Sequence, residues 1–185
     1  GIDVGGTNTA FGIVDANGKV IASSSIKTQQ FGADLDAYIN ELHSALSKLI
    51  AENGGIDKIK GIGVGAPNAN YYTGNIENAA NLPWKGTIEF AKILTNKFGV
   101  PCTLTNDANA ATIGEMMYGA AKGMKDFIMI TLGTGVGSGI VCNGKLVYGH
   151  DGNAGELGHV IVRRGGRQCG CGQKGCLETY TSATG

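Results

Sequence analysis

Asp107 is the residue of this sequence that is best placed to move a proton. It follows an apolar, strand-like segment, Val100–Thr105, and precedes a segment of helical composition that begins near Ala108. In open α/β sheets, ligands bind in the crevice beyond the carboxyl ends of the strands, and a carboxylate there can accept a proton from a substrate hydroxyl. An Asp in this position can also simply cap the following helix. The position alone leaves both interpretations open.

Two glycine-rich turns form a second group of candidate residues. Gly5 and Gly6 follow a short apolar segment, and glycines alternate from Gly133 to Gly139 after the run Phe127–Leu132, which is predicted to be a buried strand. Because glycine lacks a Cβ atom, backbone N–H groups in such turns can closely face an anion such as a phosphate. Each turn, taken alone, could equally be a plain hairpin corner.

The two turns belong to an internal repeat. Residues 11–20 resemble residues 138–147, and each segment contains an Asn-Gly pair, a strong hairpin signal. The repeat predicts an α/β fold of two duplicated lobes with a cleft, in which two phosphate-facing hairpins could hold a nucleotide. The sequence contains no P-loop motif, and the alternating glycines from 133 to 139 do not fit the dinucleotide pattern Gly-x-Gly-x-x-Gly.

A set of potential metal ligands lies in the last thirty or so residues. His159 precedes three closely spaced cysteines, Cys169, Cys171 and Cys176. Three thiols and one imidazole supply the four ligands of a closed tetrahedral zinc site, and a site with no open position predicts a structural role. The alternative is a disulfide and a free thiol, which we consider less favoured in a chain without a secretory signal.

Glu156 and Glu178 lie near the two ends of this candidate zinc loop. A loop fixed by zinc would hold both carboxylates in place, and carboxylates together with Asn side chains are suited to binding the vicinal hydroxyls of a sugar. Surface-exposed glutamates without a specific role are the alternative interpretation.

The composition excludes several classes of partner. The 185 residues carry a formal net charge of zero, and only 16% are charged, so there is no basic surface for nucleic acid or an anionic membrane. No apolar run approaches the length of about 18 residues expected of a transmembrane helix, and no secretory signal opens the chain. We expect a soluble, cytoplasmic protein.

Apolar periodicity predicts the elements that position these residues. The predicted elements are a helix over residues 35–50, a buried parallel strand over 60–66, a loop over 68–84, a helix capped by Thr87 that ends at Gly99, and strands that bury Cys102 and Cys142 as inert core thiols.

Five motifs, and their order along the chain, resemble those of the ROK family (repressors, open reading frames and sugar kinases). That family has the actin/hexokinase-type, ribonuclease H-like fold. Segments at 65–67 and 81–84 are most similar to the bacterial glucokinases of that family. The motifs are Asp3-Val4-Gly5-Gly6-Thr7, Asn106-Asp107-Ala108-Asn109-Ala110, Gly133-Thr134-Gly135-Val136-Gly137, Glu156-x-Gly-His159 and the cysteine cluster followed by Glu178.

The resemblance implies an ATP- and Mg²⁺-dependent transfer of phosphate to the 6-hydroxyl of glucose, with Asp107 as the general base. It implies sugar contacts from Gly65, Asn81, Asn106, Asp107, Glu156, His159 and Glu178. It implies phosphate contacts from Asp3, Gly5, Gly6, Thr7, Asn8, Gly133, Thr134, Gly135 and Gly137. It implies structural Zn²⁺ on His159, Cys169, Cys171 and Cys176, and assembly into a homodimer or homotetramer.

The resemblance also implies a division into an N-terminal lobe, residues 1–106, and the beginning of a second, incomplete lobe, residues 107–185. Several functions remain open at this point. The protein could be a sugar-sensing ROK repressor, which would need a DNA-binding domain before residue 1, or a sugar-binding module without catalysis. Among kinases, N-acetylmannosamine, fructose or allose could replace glucose, and polyphosphate could replace ATP.

Overall fold

The computed structural model describes residues 1–183 and 185, which form two compact units, residues 1–110 and 111–185. The division into domains 1–106 and 107–185 stays a prediction. The strands of the first unit are β1 (Ile2–Val4), β2 (Asn8–Val14), β3 (Val20–Lys27), β4 (Ile62–Ala66), β5 (Ala69–Asn70), β6 (Asn75–Glu77), β7 (Thr87–Ile88) and β8 (Cys102–Asn106), and its helices are α1 (Leu35–Glu52), α2 (Phe90–Phe98) and the first turn of α3 (Asp107–Tyr118).

The main sheet of the first unit has the strand order β3-β2-β1-β4-β8. β1, β2 and β3 form an antiparallel meander, whereas β1, β4 and β8 are mutually parallel neighbours. The connections between the parallel strands contain α1 and α2, as parallel pairing requires a crossover rather than a tight turn. The carboxyl ends of β1, β4 and β8 therefore meet at one edge of the sheet.

Helix α1 covers the core of this unit, and the helix predicted over residues 35–50 is confirmed. Its N-terminus is capped by Asp34, whose Oδ1 accepts a hydrogen bond of 2.9 Å from Ala37 N. It ends before Gly54 and Gly55, which both have positive φ. The buried side chains recur every three or four residues, as expected for an amphipathic helix; they are Tyr38, Ile39, Leu42, Leu46 and Ile50.

The prediction for residues 68–84 was wrong, because this segment is not only a loop. β5 and β6 lie within it and pair with each other, and β6 also pairs with β7, which gives a separate three-stranded antiparallel sheet. Thr87 lies in β7 and does not cap α2, which begins at Phe90. The predicted end of that helix is confirmed, since Gly99 adopts the left-handed conformation at φ 69°.

The second unit repeats the opening meander of the first. It contains the rest of α3, three strands in the order β11-β10-β9, and the short helix α4. Like β1, β2 and β3, its three strands follow one another in antiparallel pairing, and an Asn143-Gly144 turn corresponds to Asn17-Gly18. This topology confirms the predicted repeat. The bounds are β9 (Phe127–Leu132), β10 (Val136–Cys142), β11 (Lys145–Leu146) and α4 (Glu178–Thr181).

The prediction that β9 is buried was wrong, since one of its faces is exposed and the other is only half-buried. Ile128, Ile130 and Leu132 are each more than half exposed, because none of the described residues forms a layer over that face. Cys142, at the end of β10, is exposed rather than a core thiol, and Cys102 is only half-buried. Among the described residues, no helix combines the length and the hydropathy that crossing a membrane requires.

Gly65 in β4 controls how closely α3 approaches the sheet. A Cβ atom at this position would lie 3.2 Å from the Ala110 Cβ and 3.6 Å from the Asp107 Cα. Gly63, two residues earlier in the same strand, has open space where its Cβ would be. The two glycines therefore differ in the space available to a side chain.

We expect Gly65→Val to lower the free energy of unfolding by about 1–3 kcal/mol, because the branched side chain overpacks the contact with α3. Gly63→Val is the matched control and should cost much less, since it adds the same side chain to open space. Urea denaturation of both variants measures the difference. Equal losses in the two variants would contradict the role given to Gly65.

Candidate functional site

Three parallel strands bring candidate residues of the first unit to one sheet edge. Asp3 in β1 pairs with Gly65 in β4, and Gly65 pairs with Thr105 in β8. Asn106 and Asp107 follow Thr105 directly, at the junction of β8 and α3. Four residues that the sequence analysis selected from three distant segments thus lie beside one another, at the strand ends where α/β proteins bind ligands.

The carboxylates of Asp3 and Asp107 interact electrostatically. The pKa of Asp3 is raised from its ordinary value, first because its surroundings partly remove its hydration and second because of the nearby negative charge of Asp107. Carboxylate oxygens are ligands that Mg²⁺ prefers. A divalent cation between these side chains would compensate their repulsion, so this pair fits a magnesium ion.

The side chain of Asn106 caps α3. Its Oδ1 accepts hydrogen bonds from Ala108 N at 2.8 Å and from Asn109 N at 3.4 Å. Asp107 Oδ1 also accepts from Ala108 N, at 2.8 Å. Asp107 is exposed, while Asn106 is half-buried. The capping role that the sequence left open for Asp107 is therefore carried largely by Asn106, and the Asp107 carboxylate reaches solvent at the sheet edge.

The first glycine turn lies against the segment that contains Asn81. A Cβ atom at Gly6 would lie 2.7 Å from the Asn81 carbonyl oxygen, and one at Gly5 would lie 2.8 Å from the Asn8 carbonyl oxygen. Both positions therefore require glycine. The turn is closed by a hydrogen bond of 3.0 Å from Gly5 N to Asn8 O. This close approach places Asn81 beside the proposed phosphate turn, and Thr7 and Asn8 are exposed on it.

The second glycine turn is shorter than predicted. It connects β9 to β10 and is closed by a hydrogen bond of 3.0 Å from Gly133 N to Gly135 O, with Thr134 exposed at its tip. Gly137 lies inside β10, where it pairs with Thr131, and is not part of the turn. The alternating glycines therefore divide between a turn and a strand.

Strand β10 holds the segment that carries Glu156 and His159. The Ser138 hydroxyl donates to the Gly155 carbonyl and accepts from Leu157 N at 3.3 Å. The sequence analysis missed Ser138; its signal was a polar residue inside an otherwise apolar strand, where a buried hydroxyl needs a partner. Glu156 is exposed at the start of the single helical turn Leu157–His159.

The four predicted metal ligands converge. One ligand atom from each of His159, Cys169, Cys171 and Cys176 lies within 4.8 Å of all the others. Cys171 Sγ and Cys176 Sγ are 3.6 Å apart, and Cys169 Sγ lies 3.6 Å from His159 Nδ1. Ligands on a tetrahedral zinc ion with bonds near 2.3 Å are separated by about 3.8 Å. The donor set and its spacing fit zinc.

The Glu178 carboxylate adjoins both this cluster and the second glycine turn. Its Oε1 lies 2.9 Å from Cys169 Sγ and 3.5 Å from His159 Nδ1. Its Oε2 lies 3.0 Å from where a Cβ atom of Gly135 would be. Glu178 thus connects the cysteine cluster to the turn, and a side chain at Gly135 would disturb it.

The comparisons with known proteins agree with these motifs. The chain belongs to the ROK family, and the match to that family extends over residues 1–185. It is 40% identical to a glucokinase of Halalkalibacterium halodurans over 197 residues, covering 100% of this chain and 56% of that protein. It is 30% identical to a xylose repressor of Bacillus spizizenii, covering 98% of this chain and 47% of that protein. The chain spans about half the length of these curated relatives.

The fold is shared with solved ROK structures. A ROK family glucokinase from Streptomyces griseus, solved in complex with glucose and AMPPNP, superimposes with a TM-score of 0.81 at 34% identity, covering 98% of this chain and 56% of that chain. The predicted actin/hexokinase-like α/β class is thereby confirmed. Because glucokinases and a repressor share the family, membership alone does not decide the activity.

The partial burial of the Asp3 carboxylate and its repulsion from Asp107 predict a pH-dependent change in stability. A carboxyl whose pKa is raised by folding destabilises the fold as the pH rises above its ordinary value of 3.8. We therefore expect Asp3→Asn to melt at a higher temperature than the wild type at neutral pH without Mg²⁺. The difference in melting temperature between Asp3→Asn and the wild type should shrink below pH 3.8.

Thermal melts at a series of pH values measure this effect. Asp57→Asn is the control, because Asp57 is an exposed carboxylate on a separate helical turn of the same unit. A lower melting temperature for Asp3→Asn than for Asp57→Asn at neutral pH would contradict the proposed destabilisation by the charged Asp3 carboxylate.

Proposed function

We propose that the intact protein transfers a phosphoryl group from ATP to the 6-hydroxyl of glucose or a closely related hexose. The observation that carries this proposal is the convergence of Asp3, Gly65, Asn106 and Asp107 at one sheet edge, beside a turn that requires glycine. Similarity to glucokinases supports the same activity.

Asp107 is the proposed general base. Its carboxylate is exposed, at the junction of β8 and α3, and so is accessible to a sugar hydroxyl. As the sugar oxygen forms its bond to the γ-phosphorus, the bond from that phosphorus to the leaving ADP oxygen breaks, and the hydroxyl proton passes to Asp107. Such general-base help typically contributes about 10²–10⁴ in rate.

Each of the two units contains residues that we propose for sugar binding. In the first unit, Asn106 directly precedes Asp107, Asn81 lies against Gly6, and Gly65 lets α3 approach the sheet edge closely. In the second, Glu156 and His159 share one short helical turn. His159 directs Nδ1 toward the cysteines, so its other ring nitrogen remains for a sugar hydroxyl. The sugar contact proposed for Glu178 competes with its contacts to Cys169 and His159.

The proposed phosphate contacts are backbone N–H groups of the two glycine turns. Phosphoryl transfer depends mainly on alignment and on stabilising negative charge. Mg²⁺, when bound, would neutralise charge on the phosphates, and Asp3 with Asp107 are the carboxylates that would hold it. The remaining residues proposed to contact phosphate are Gly6, Thr7, Asn8, Thr134 and Gly135. The predicted phosphate contacts of Gly5, Gly133 and Gly137 are not proposed again, because Gly5 N and Gly133 N already donate within their turns and Gly137 lies in β10.

A sugar-sensing repressor is the second candidate, because the chain is also similar to a xylose repressor. That function would use the sugar site without phosphate transfer. A homodimer or homotetramer, a hexose other than glucose, and polyphosphate as the donor stay predictions of the same family resemblance.

Sugar-dependent ADP release by the full-length protein tests the proposal. We expect Asp107→Asn to reduce kcat by about 10²–10⁴ while the dissociation constant for glucose, measured by calorimetry, changes little. Asp57→Asn should retain wild-type turnover. Wild-type protein that binds hexoses but releases no ADP with any of them would sink the kinase proposal and favour the repressor.

We also propose that the cysteine cluster binds structural zinc. We expect Cys176→Ser to lose the metal and to melt at a lower temperature, because Cys176 is fully buried and its thiolate would be one of four ligands. Cys142→Ser is the control, since Cys142 is exposed and outside the cluster. Metal analysis by atomic absorption decides the outcome: wild-type protein without bound zinc would contradict the proposal.

A further inference from the structure

Three buried hydroxyl groups form a chain of hydrogen bonds that ends on the first glycine turn. Tyr38 Oη lies 2.8 Å from Thr9 Oγ1, Thr9 Oγ1 lies 2.9 Å from Thr28 Oγ1, and Thr28 Oγ1 lies 2.8 Å from the Gly5 carbonyl oxygen. All three side chains are completely buried, at 0% exposure. They come from β2, from the helical turn after β3, and from α1.

The direction of every bond in this chain is fixed by the number of protons available. The Gly5 carbonyl oxygen can only accept a hydrogen bond, so Thr28 donates its single hydroxyl proton to it. Thr9 must then donate to Thr28, and Tyr38 must donate to Thr9. Burial raises the pKa of Tyr38 to about 12, so its hydroxyl keeps its proton at neutral pH. All three donors point toward the turn, and aligned hydrogen bonds of this kind polarise one another.

The bond to Gly5 also sets the direction of the next N–H group. The Gly5–Gly6 peptide is trans, since the described residues contain no cis peptide bond. In a trans peptide the C=O and the following N–H point in opposite directions. Because Thr28 draws the Gly5 carbonyl into the core, the Gly6 N–H points away from it. Within residues 1–183 and 185, no acceptor receives a hydrogen bond from Gly6 N.

The same buried group supports the segment that lies against Gly6. The Tyr38 ring packs on Trp84, with ring centroids 4.3 Å apart. Trp84 is buried and lies three residues after Asn81, whose carbonyl would be 2.7 Å from a Cβ atom at Gly6. The turn is therefore hydrogen-bonded to Thr28 on its core side and bounded by the Asn81 segment on another side, and Tyr38 is linked to Thr28 through Thr9 and contacts Trp84 of that segment.

We propose that Tyr38, Thr9 and Thr28 are positioning residues that preorganise the Gly6 N–H to donate to a phosphate oxygen of the nucleotide. This inference rests on the proposed function, because it assigns the phosphate to this turn. A donor fixed before the substrate arrives needs no reorganisation when negative charge develops. The hydroxyl chain provides that fixation from the protein interior without touching the nucleotide.

The test uses the full-length protein and replaces the hydroxyl that bonds Gly5. We expect Thr28→Val to lower kcat/KM for ATP by about tenfold, the value of one hydrogen bond. KM for the hexose should not change, because no proposed sugar contact is altered. Thr28→Ser keeps the hydroxyl and should restore the wild-type value. Thr9→Val and Tyr38→Phe, which are further along the chain, should have progressively smaller effects.

Thr95→Val is the matched control. Thr95 lies in α2, and its Oγ1 accepts a hydrogen bond of 3.2 Å from Cys102 N, remote in sequence from the turn. Thr95→Val also removes a threonine hydroxyl that makes a hydrogen bond, so the stability should fall while kcat/KM for ATP stays at the wild-type value. Equal kinetic effects of Thr28→Val and Thr95→Val, or equal effects on the ATP and hexose parameters, would overturn the inference.

The ¹⁵N chemical shift of the Gly6 amide in the free protein separates this inference from the proposed function. Removing a hydrogen bond from the Gly5 carbonyl changes the polarisation of the Gly6 N–H. We therefore expect the Gly6 resonance to move in Thr28→Val and to stay in place in Thr28→Ser and Thr95→Val. If no hexose elicits ADP release, the proposed function fails. If the Gly6 resonances coincide in all variants, the proposed positioning of Gly6 N–H by the hydroxyl chain fails.

Discussion

The parallel pairing of β1, β4 and β8 is the constraint on which the candidate site depends. It brings the ends of three strands, which are distant in sequence, to one edge in register, so that Asp3 lies opposite Gly65 and Gly65 opposite Thr105. Glycine at 65 leaves the space that α3 needs to begin at that edge. The position of the Asp107 carboxylate is therefore a product of strand register and of one missing side chain.

In the second unit, the segment between β11 and α4 is stabilised by interactions other than strand pairing in a sheet. Between β11 and α4 its regular structure is limited to a single helical turn and isolated bridges, and loop hydrogen bonds such as that from Leu177 N to Val160 O are supplemented by side-chain partners. Ser138 fixes the segment around Glu156 from the side of β10. The cysteine cluster and Glu178 fix its other end. The four potential metal ligands thus lie in an otherwise irregular segment.

The repeated hairpin carries different supports in its two copies. In the first, buried hydroxyls reach the turn from the core, and the turn approaches Asn81. In the second, the Gly133 carbonyl accepts a hydrogen bond of 2.8 Å from Ala183 N, and Glu178 lies against Gly135. The same backbone unit is thus adapted to two surroundings. Sites of this kind decide function, whereas the shared fold is compatible with both kinases and repressors.

Local patterns in the sequence determined α1, the two Asn-Gly hairpins, β4 and the grouping of His159 with three cysteines, because each of these features depends on residues that are close together in the sequence. The strands β5, β6 and β7 were missed because two or three residues are too few to show a period. Only the tertiary structure decided that Asn106 caps α3, that Ser138 holds Gly155, and that Thr9, Thr28 and Tyr38 share one hydrogen-bonded chain. These partners lie up to 29 residues apart, and their contacts exist only after strands and helix have packed together.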